Sequence, residues 1–330
     1  MAEKRKGTIC VTGGTGFLGS WIVKRLLEDG YSVNTTVRID PANKRDMSYL
    51  ENLPGASEKL HIYNADLDKP ESFGPAIEGC IGVFHVAHPL DLQGKETEQV
   101  KIKRVTNGLK GILQKCADSK TVKRVVYTSS IAAAAFDSKI GPSGLIDECC
   151  WTDVDLIKSL KKIEGDYVVT KTLAERAAMD IAVGLGLDLV SVLPSCTTGP
   201  FLCSHFPDSV QLSLALLLGD MGNYWRMNSS LVHVDDVARA HIHLFEYPSA
   251  KGRYICSAID CTTDELCKFI SARYPEYPIP AAESWKDMAL PIEFRGFSTK
   301  KLVETGFKYE NGLEEMFDGA IKCCKEKGLL

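Results

Sequence analysis

Short runs of β-branched and aliphatic residues alternate with longer amphipathic segments over the first 195 residues of the chain. The runs are typical of buried strands, and the amphipathic segments have the apolar periodicity of helices. The pattern predicts strands at 8–12, 32–37, 59–63, 82–87, 124–128 and 188–193, and helices at 17–28, 71–78, 98–117 and 167–183. Strands that alternate with helices of this length indicate βαβ units, whose right-handed crossovers give an α/β fold of the Rossmann type, with a doubly wound parallel sheet.

The alternation weakens after Pro194, and several prolines follow between 275 and 291. The pattern here predicts helices at 208–218, 236–245, 299–305 and 313–325, with a segment at 231–236 that returns to the sheet. We therefore expect two domains. A Rossmann domain for a nucleotide cofactor spans 1–195 and takes back 228–245, and a smaller C-terminal substrate-binding domain spans 196–330 and covers the carboxyl edge of the sheet.

The composition argues against several classes of protein. The 330 residues include 39 Lys and Arg against 43 Asp and Glu, a net charge of −4, which favours no nucleic-acid partner. No apolar run approaches the roughly 20 residues of a membrane span, and no signal-peptide-like stretch follows the first charged residues, so we expect a cytoplasmic protein. The 12 cysteines form no Cys-x-x-Cys pair, which predicts buried thiols and no metal site.

A glycine-rich segment joins the first predicted strand to the first helix. It reads VTGGTGFLG over 11–19 and places Gly13, Gly16 and Gly19 at G-x-x-G-x-x-G spacing. Such glycines allow a tight turn, close approach of a pyrophosphate to the backbone, and close contact between helix and strand. The sequence therefore predicts a dinucleotide site whose residues are Gly13, Thr15, Gly16, Phe17, Leu18 and Gly19.

The residues after the second strand distinguish the two nicotinamide cofactors. An acidic side chain there would bind the free ribose hydroxyl of NAD, but this chain has Arg38, followed by Lys44 and Arg45. Cations at this place suit a 2′-phosphate. We therefore predict NADP(H), with Asp66 and Leu67 after the third strand beside the adenine.

A tyrosine and a lysine share one face of the predicted helix at 167–183. Tyr167 and Lys171 are four residues apart, and a lysine charge stabilises a phenolate, so the tyrosine becomes a better acid and base near neutral pH. Hydroxyl residues at 127–130 end a strand at the carboxyl edge, where one could hydrogen-bond a carbonyl oxygen. Taken alone, the Tyr-x-x-x-Lys spacing is weak evidence for an active site. Together with the glycine motif and the hydroxyl residues at the strand end, it is strong evidence.

Seven segments together resemble a known family over nearly the whole chain: 11–21, 52–56, 83–87, 126–130, 171–175, 232–236 and 323–328. They resemble the extended short-chain dehydrogenase/reductase superfamily and, within it, the vestitone reductase branch of the plant dihydroflavonol-4-reductase-like group. The resemblance implies a catalytic triad of Ser130, Tyr167 and Lys171, with Ser129 structural, and supports Arg38 with Lys44 or Arg45 on the 2′-phosphate. We also assign Val86, Ala87, Pro194, Tyr167 and Lys171 to the cofactor site.

The chain departs from the family at positions that concern the substrate. His88 replaces a small hydroxyl residue, and could contact substrate, carry a second proton, or only line the mouth of the cleft. Ala135 replaces the substrate-gripping asparagine of dihydroflavonol reductases, and the signature of cinnamoyl-CoA reductases is absent around Tyr167. The candidate substrate residues are His88, Ile131, Ala135, Ser195, Phe201 and Tyr224.

These features favour an NADPH-dependent reductase of ketones or aldehydes in plant specialised metabolism. Its expected substrate is a small polycyclic carbonyl compound of flavonoid, isoflavonoid, alkaloid or terpenoid type. Three alternatives stay open: an NAD(P)-dependent alcohol or hemiacetal dehydrogenase or cyclase on the same fold, a nucleotide-sugar epimerase, and a non-catalytic binding protein. We expect a monomer or a homodimer.

Overall fold

The structure is a computed structural model that describes residues 6–38, 46–88, 97–139, 144–160, 165–219, 229–279 and 296–330. Its strands are β1 (Thr8–Thr12), β2 (Ser32–Val37), β3 (Leu60–Asn64), β4 (Gly82–His85), β5 (Arg124–Thr128), β6 (Leu189–Pro194), β7 (Cys196–Thr198), β8 (Ser229–His233), β9 (Gly252–Cys256) and β10 (Ile259–Cys261). The α-helices are α1 (Phe17–Glu28), α2 (Ser48–Glu51), α3 (Ala56–Lys59), α4 (Gly74–Ile77), α5 (Glu98–Ser119), α6 (Val154–Leu160), α7 (Gly165–Leu185), α8 (Asp208–Ser213), α9 (Ala215–Leu218), α10 (Val234–Glu246), α11 (Thr263–Arg273), α12 (Lys300–Glu304) and α13 (Leu313–Glu326). Two short 3₁₀ helices lie at Pro70–Phe73 and Ile131–Ala133.

Seven of these strands form one parallel sheet in the order β3-β2-β1-β4-β5-β6-β9. The chain moves outward from β1 to β3, then returns to pair β4 with the other side of β1. This order confirms the predicted doubly wound fold. The carboxyl ends of β1 and β4 therefore border the crevice where open α/β sheets bind ligands.

The core lies on both faces of this sheet because alternate strand residues point to opposite sides. Val11 and Val126 belong to the apolar cluster beneath α1 and α10, whereas Cys10 and Val125 belong to the cluster beneath α5 and α7. All 12 cysteines are free, and all but Cys149, Cys196 and Cys323 are buried, as the sequence predicted. No described helix is long and apolar enough to cross a bilayer.

A second sheet has three strands in the order β10-β8-β7. The prediction that 231–236 returns to the large sheet is wrong, because β8 pairs with β7 and β10 instead. The returning strand is β9, which the sequence analysis missed and which runs parallel to β6. Helix α10, which was predicted at 236–245, packs against α1. Apolar periodicity reports that a strand is buried, but not which strand it pairs with.

Local differences elsewhere are small. The helix predicted at 71–78 is a 3₁₀ turn followed by α4, and the one predicted at 208–218 is broken into α8 and α9 at Leu214. Helices α6 and α11 were not predicted. Helix α11 begins with a capping box in which the side chains and amides of Thr262 and Glu265 bond reciprocally, a local signal that the sequence offered.

Candidate active site

The glycine segment closes tightly on itself and on the second strand. Gly13 has a φ of +77°, and the amides of Gly13 and Gly14 donate to the carbonyl oxygen of Thr36 at 3.1 and 3.0 Å. A Cβ on Gly19 would lie 2.2 Å from the Gly13 oxygen, so α1 packs directly against the loop. A Cβ on Gly16, which caps α1, would meet only that oxygen, at 3.3 Å. The N-terminus of α1 is thus approachable, as a bound pyrophosphate requires.

The other residues predicted to bind the cofactor in this loop, Thr15, Phe17 and Leu18, are packed against the protein to different degrees. Thr15 is buried, and its carbonyl oxygen accepts a hydrogen bond from the Tyr49 hydroxyl at 3.0 Å. Phe17 and Leu18 are half-buried in the first turn of α1. Their backbone positions agree with a cofactor loop, and their individual contacts with a cofactor stay predictions.

The predicted 2′-phosphate and adenine residues lie at the ends of adjacent strands. Arg38 follows β2 and is exposed, while Asp66 and Leu67 follow β3 and are half-buried. The register pairs Val37 with Asn64, so Arg38 and Asp66 share one edge of the sheet. Lys44 and Arg45 lie outside the described residues.

Thr12, which the sequence analysis missed, joins β1 to the end of β4. Its Oγ1 accepts hydrogen bonds from the amides of Val86 and Ala87, both at 3.1 Å, and lies 2.8 Å from Nδ1 of His85. A hydroxyl that already accepts twice donates its own proton to Nδ1, so His85 is neutral. Burial and, secondarily, the Lys171 charge lower the pKa of His85 to about 3. Thr12 therefore holds the predicted cofactor residues Val86 and Ala87 against the crevice.

Helix α7 brings Tyr167 and Lys171 to the carboxyl end of β5. Lys171 is 5% exposed, donates from Nζ to the carbonyl oxygen of Thr128 at 3.3 Å, and lies 6.0 Å from the centre of the Tyr167 ring. Burial lowers the pKa of Lys171 to about 8, opposed by the negative charge of Glu175. The amine is therefore still largely protonated at neutral pH, beside the phenol as the spacing predicted.

The two neighbouring serines after β5 have different partners. Ser129 is buried and donates to Oε2 of Glu175 at 2.9 Å. Ser130 is half-buried and caps the 3₁₀ helix at Ile131–Ala133, accepting from the amide of Ala132 at 3.2 Å. That 3₁₀ helix packs against α7. Ser130 therefore stands on the α7 side of the crevice, and its hydroxyl keeps a proton that it can donate.

His88 lies against the predicted catalytic tyrosine. Its half-buried ring is 6.1 Å from the Tyr167 ring, centre to centre, in an edge-to-face arrangement at 88°. Burial and, secondarily, the charge of Lys171 hold the pKa of His88 well below its usual range. The imidazole is therefore neutral near pH 7. Its contact with a substrate stays a prediction.

The remaining predicted substrate and cofactor residues divide by burial. Ile131 and Ala135 are half-buried at the Ser130 turn, and Pro194 and Ser195 are buried where β6 ends. Phe201 is only 2% exposed and packs between Phe17 and Phe206 in the apolar core of the C-terminal region. This burial does not support its prediction as a substrate residue. Tyr224 lies outside the described residues.

One buried ion pair next to the site was not anticipated. Glu175 lies one turn beyond Lys171 on α7 and pairs with Arg253 of β9, with 3.0 Å between Oε1 and Nε. Glu175 lies in the segment 171–175 that carries the family resemblance, whereas Arg253 lies in a strand that was not predicted. Only the fold brings them together. Among the described residues, no group of three or more His, Cys, Asp or Glu side chains could hold a metal ion.

Comparison with known proteins identifies the family. The sequence pattern of the NAD dependent epimerase/dehydratase family matches residues 9–256. Vestitone reductase of Medicago sativa is 50% identical over 100% of both chains, and its crystal structure matches with a TM-score of 0.86, at 47% identity over 98% of this chain and 100% of that one. Noscapine synthase SDR1 of Papaver somniferum is 46% identical over 98% of this chain and 93% of its own, and dihydroflavonol 4-reductase of Gerbera hybrida is 44% identical over 100% and 89%. The chain therefore belongs to the NAD dependent epimerase/dehydratase family, as an oxidoreductase of the plant group that includes vestitone reductase and the dihydroflavonol 4-reductases.

Proposed function

We propose that this protein is an NADPH-dependent reductase of ketones or aldehydes in plant specialised metabolism. The observation that supports it most is the placement of Lys171: a buried ammonium held between the carbonyl oxygen of Thr128 and the ring of Tyr167. This places a charged amine beside a phenol at the carboxyl edge of a doubly wound sheet, where the glycine loop also lies. A proton donor and a cofactor cradle then face one crevice.

The residues present fit NADPH. The uncrowded N-terminus of α1 suits the pyrophosphate, and the exposed guanidinium of Arg38 at the end of β2 suits the 2′-phosphate. Asp66 and Leu67 would flank the adenine, and Val86, Ala87 and Pro194 would border the nicotinamide half. When bound, the reduced nicotinamide supplies a hydride to the carbonyl carbon.

The protein's own residues would manage the carbonyl oxygen. Ser130 donates a hydrogen bond that orients this oxygen, and Tyr167 gives it a proton as the negative charge develops. Lys171 stabilises the resulting phenolate and holds the nicotinamide ribose. Ser129 is excluded from this role because its hydroxyl is engaged with Glu175 in the core.

We also propose that a polycyclic substrate lies against the wall formed by 131–135. Small side chains dominate this wall, and Ala135, at its half-buried end, leaves room where a longer side chain would project. The neutral ring of His88 faces Tyr167 and offers the substrate a hydrogen bond without adding a charge. The relatives named above at 44–50% identity differ in what their names say they act on, so the family alone does not choose the substrate.

We propose the division into a cofactor domain at 1–195 and a substrate-binding domain at 196–330, with the α10 part of 228–245 returned to the first. The core supports this in part, because α10 packs under the large sheet with α1, while α8, α11 and α13 share a separate apolar cluster. Strand β9 adds to the first domain a piece that the division by sequence leaves in the second.

The proposal is tested by turnover with NADPH. Purified protein is incubated with NADPH and a panel of flavanone, isoflavanone and alkaloid carbonyl compounds, and we expect loss of absorbance at the nicotinamide band with formation of the alcohol. Tyr167→Phe removes only the hydroxyl, so kcat should fall by at least about 10²-fold while NADPH still binds. Undiminished turnover in Tyr167→Phe would contradict the mechanism, and absence of turnover across the panel would contradict the substrate class.

A further inference from the structure

A buried carboxylate stands behind the proposed catalytic face of α7. Glu175 is 0% exposed and accepts four hydrogen bonds from side chains outside its own helix. Oε1 accepts from Oγ of Ser191 at 2.5 Å and from Nε of Arg253 at 3.0 Å, and Oε2 accepts from Oγ of Ser129 at 2.9 Å and from Nη2 of Arg253 at 3.1 Å. One side chain on α7 is thereby fixed to β5, β6 and β9.

Arg253 extends the same connection to the segment that follows Ser130. Its Nη1 donates to the carbonyl oxygens of Cys150 at 2.5 Å and Glu148 at 3.0 Å, and its Nη2 donates to that of Ala133 at 3.4 Å. Its guanidinium also lies 3.7 Å from the ring centre of Trp151. Ala133 belongs to the 3₁₀ helix that Ser130 caps. The ion pair therefore joins the element that holds Ser130 to the helix that holds Tyr167 and Lys171.

The ion pair between Glu175 and Arg253 also affects the protonation of Lys171, through the charge of Glu175. The groups that face this amine are Tyr167 and Glu175 on its own helix, and His85 and His88 at the end of β4. Both histidines have a pKa far below neutral and therefore carry no charge at pH 7. Glu175 is the group among these that can oppose the loss of the Lys171 proton. Burial favours loss of the Lys171 proton, and this carboxylate opposes it.

We propose that Glu175 and Arg253 act as a positioning pair for the reaction, fixing Ser130 relative to Tyr167 and Lys171 and supplying the negative charge that keeps Lys171 an ammonium. A buried ion pair contributes little net stability compared with well-packed apolar side chains, so its retention here fits a geometric and electrostatic role. The kinetic part of this inference rests on the proposed function. Both side chains are buried, so their role is to position other groups.

The test compares two Arg–carboxylate pairs that differ in location. Glu175→Gln keeps the shape of the side chain and removes its charge. Asp188→Asn is the matched control, because Asp188 pairs with buried Arg124 at the opposite, amino-terminal end of β5, at 2.8 Å. We expect Glu175→Gln to lower kcat by about 10–100-fold with little change in KM, because displaced reacting groups cost rate rather than affinity. Asp188→Asn should keep kcat within about 2-fold, even where its melting temperature falls.

A direct readout of Lys171 separates this inference from the proposed function. In protein labelled with ¹³C at lysine Cε, the Lys171 resonance, identified by its loss in Lys171→Arg, should titrate at lower pH in Glu175→Gln than in the wild type. Glu175→Asp, which keeps the charge, should restore the wild-type titration while kcat stays partly reduced. An inactive wild type would defeat the proposed function and leave this titration valid.

Two results would overturn the positioning role. One is an unchanged kcat and an unchanged Lys171 titration in folded Glu175→Gln. The other is an equal loss of kcat in Glu175→Gln and Asp188→Asn after correction for the folded fraction. Should Glu175→Gln not fold, Ser129→Ala removes a single hydrogen bond of the network, and we expect a several-fold loss of kcat from it; wild-type kcat in Ser129→Ala would equally overturn the role.

Discussion

Two lysines of this protein make similar local contacts with different consequences. Lys171 donates to one main-chain carbonyl oxygen and lies 6.0 Å from a tyrosine ring, while Lys301 donates to two carbonyl oxygens and lies 4.2 Å from the ring of Tyr254. Burial lowers the pKa of both amines. Of the two, only Lys171 is at the carboxyl edge of the sheet, the edge at which the glycine loop also lies. At the scale of the residue, location in the fold separates a candidate catalytic pair from a packing contact.

A substitution of Arg38 tests the proposed preference for NADPH over NADH. Arg38→Ala removes the exposed guanidinium at the end of β2, so kcat/KM for NADPH should fall by about 10–100-fold, the equivalent of one or two charge-assisted hydrogen bonds, while kcat/KM for NADH changes little. Steady-state kinetics with both cofactors measures this. Arg273→Ala, which removes the same charge from α11, is the control and should leave both values unchanged. An equal loss with NADPH and NADH in Arg38→Ala would contradict the 2′-phosphate assignment.

At the scale of the element, the turn between β1 and α1 depends on backbone atoms that nearly touch. A Cβ on Gly19 would meet a main-chain oxygen, whereas a Cβ on Gly14 would meet Oγ1 of Thr35, a side-chain atom, at 2.0 Å. Neither atom can move away freely, because the Gly13 oxygen belongs to the main chain and the buried Thr35 hydroxyl donates to the carbonyl oxygen of Val11 at 2.9 Å. The third glycine of the motif is therefore required by the packing of α1 on the loop, before any cofactor is considered.

Gly19→Ala should consequently displace the start of α1. We expect a loss of about 2 kcal/mol or more in the free energy of unfolding, as for an overpacked core, together with loss of NADPH binding. Gly184→Ala on α7 is the matched control: its Cβ would meet nothing within 4 Å, so it should be neutral or stabilise by up to about 1 kcal/mol. Urea denaturation and NADPH fluorescence titration measure the two effects. Normal stability of Gly19→Ala would show that the loop can move away from the helix.

At the scale of the whole molecule, buried neutral histidines lie between the layers of the fold. His241 of α10 bonds through Nδ1 to the carbonyl oxygen of Val237 and through Nε2 to the hydroxyl of Thr128, both at 2.8 Å. A carbonyl oxygen only accepts, so Nδ1 bears the proton. Burial lowers the pKa of His241 to about 4, and that of His85 to about 3. Both would have to gain a proton, or be exposed, in acid.

The protein should therefore lose stability as the pH falls below about 6.5, the ordinary histidine value. Between the folded and unfolded pKa values the unfolded chain binds more protons, so the free energy of unfolding decreases with falling pH, by about 2 kcal/mol for each of His85 and His241 between pH 6.5 and 5. Urea denaturation at pH 7 and pH 5 measures this. His241→Gln should reduce the pH dependence by about a third, because His85 and His88 also stay neutral in the folded protein, and His61→Gln, at an exposed position of β3, should leave it unchanged. The same pH dependence in all three proteins would contradict the assignment.

Features that depend on near neighbours in the chain could be predicted from the sequence. The bounds of β1, α1, β2 and β5 agree with their apolar periodicity residue for residue, because alternation and helical spacing are local properties. The glycine loop and the approach of Tyr167 to Lys171 followed from spacings of a few residues.

Which distant elements meet could be learned only from the folded chain. It placed β9 rather than β8 in the large sheet, buried Phe201, joined Thr12 to His85, and brought Arg253 to Glu175 across 78 positions. The physical reason is common to all of these. Apolar periodicity shows that a segment is buried, but a strand partner, or the opposite charge that permits a buried arginine, is selected by packing between segments far apart in the chain.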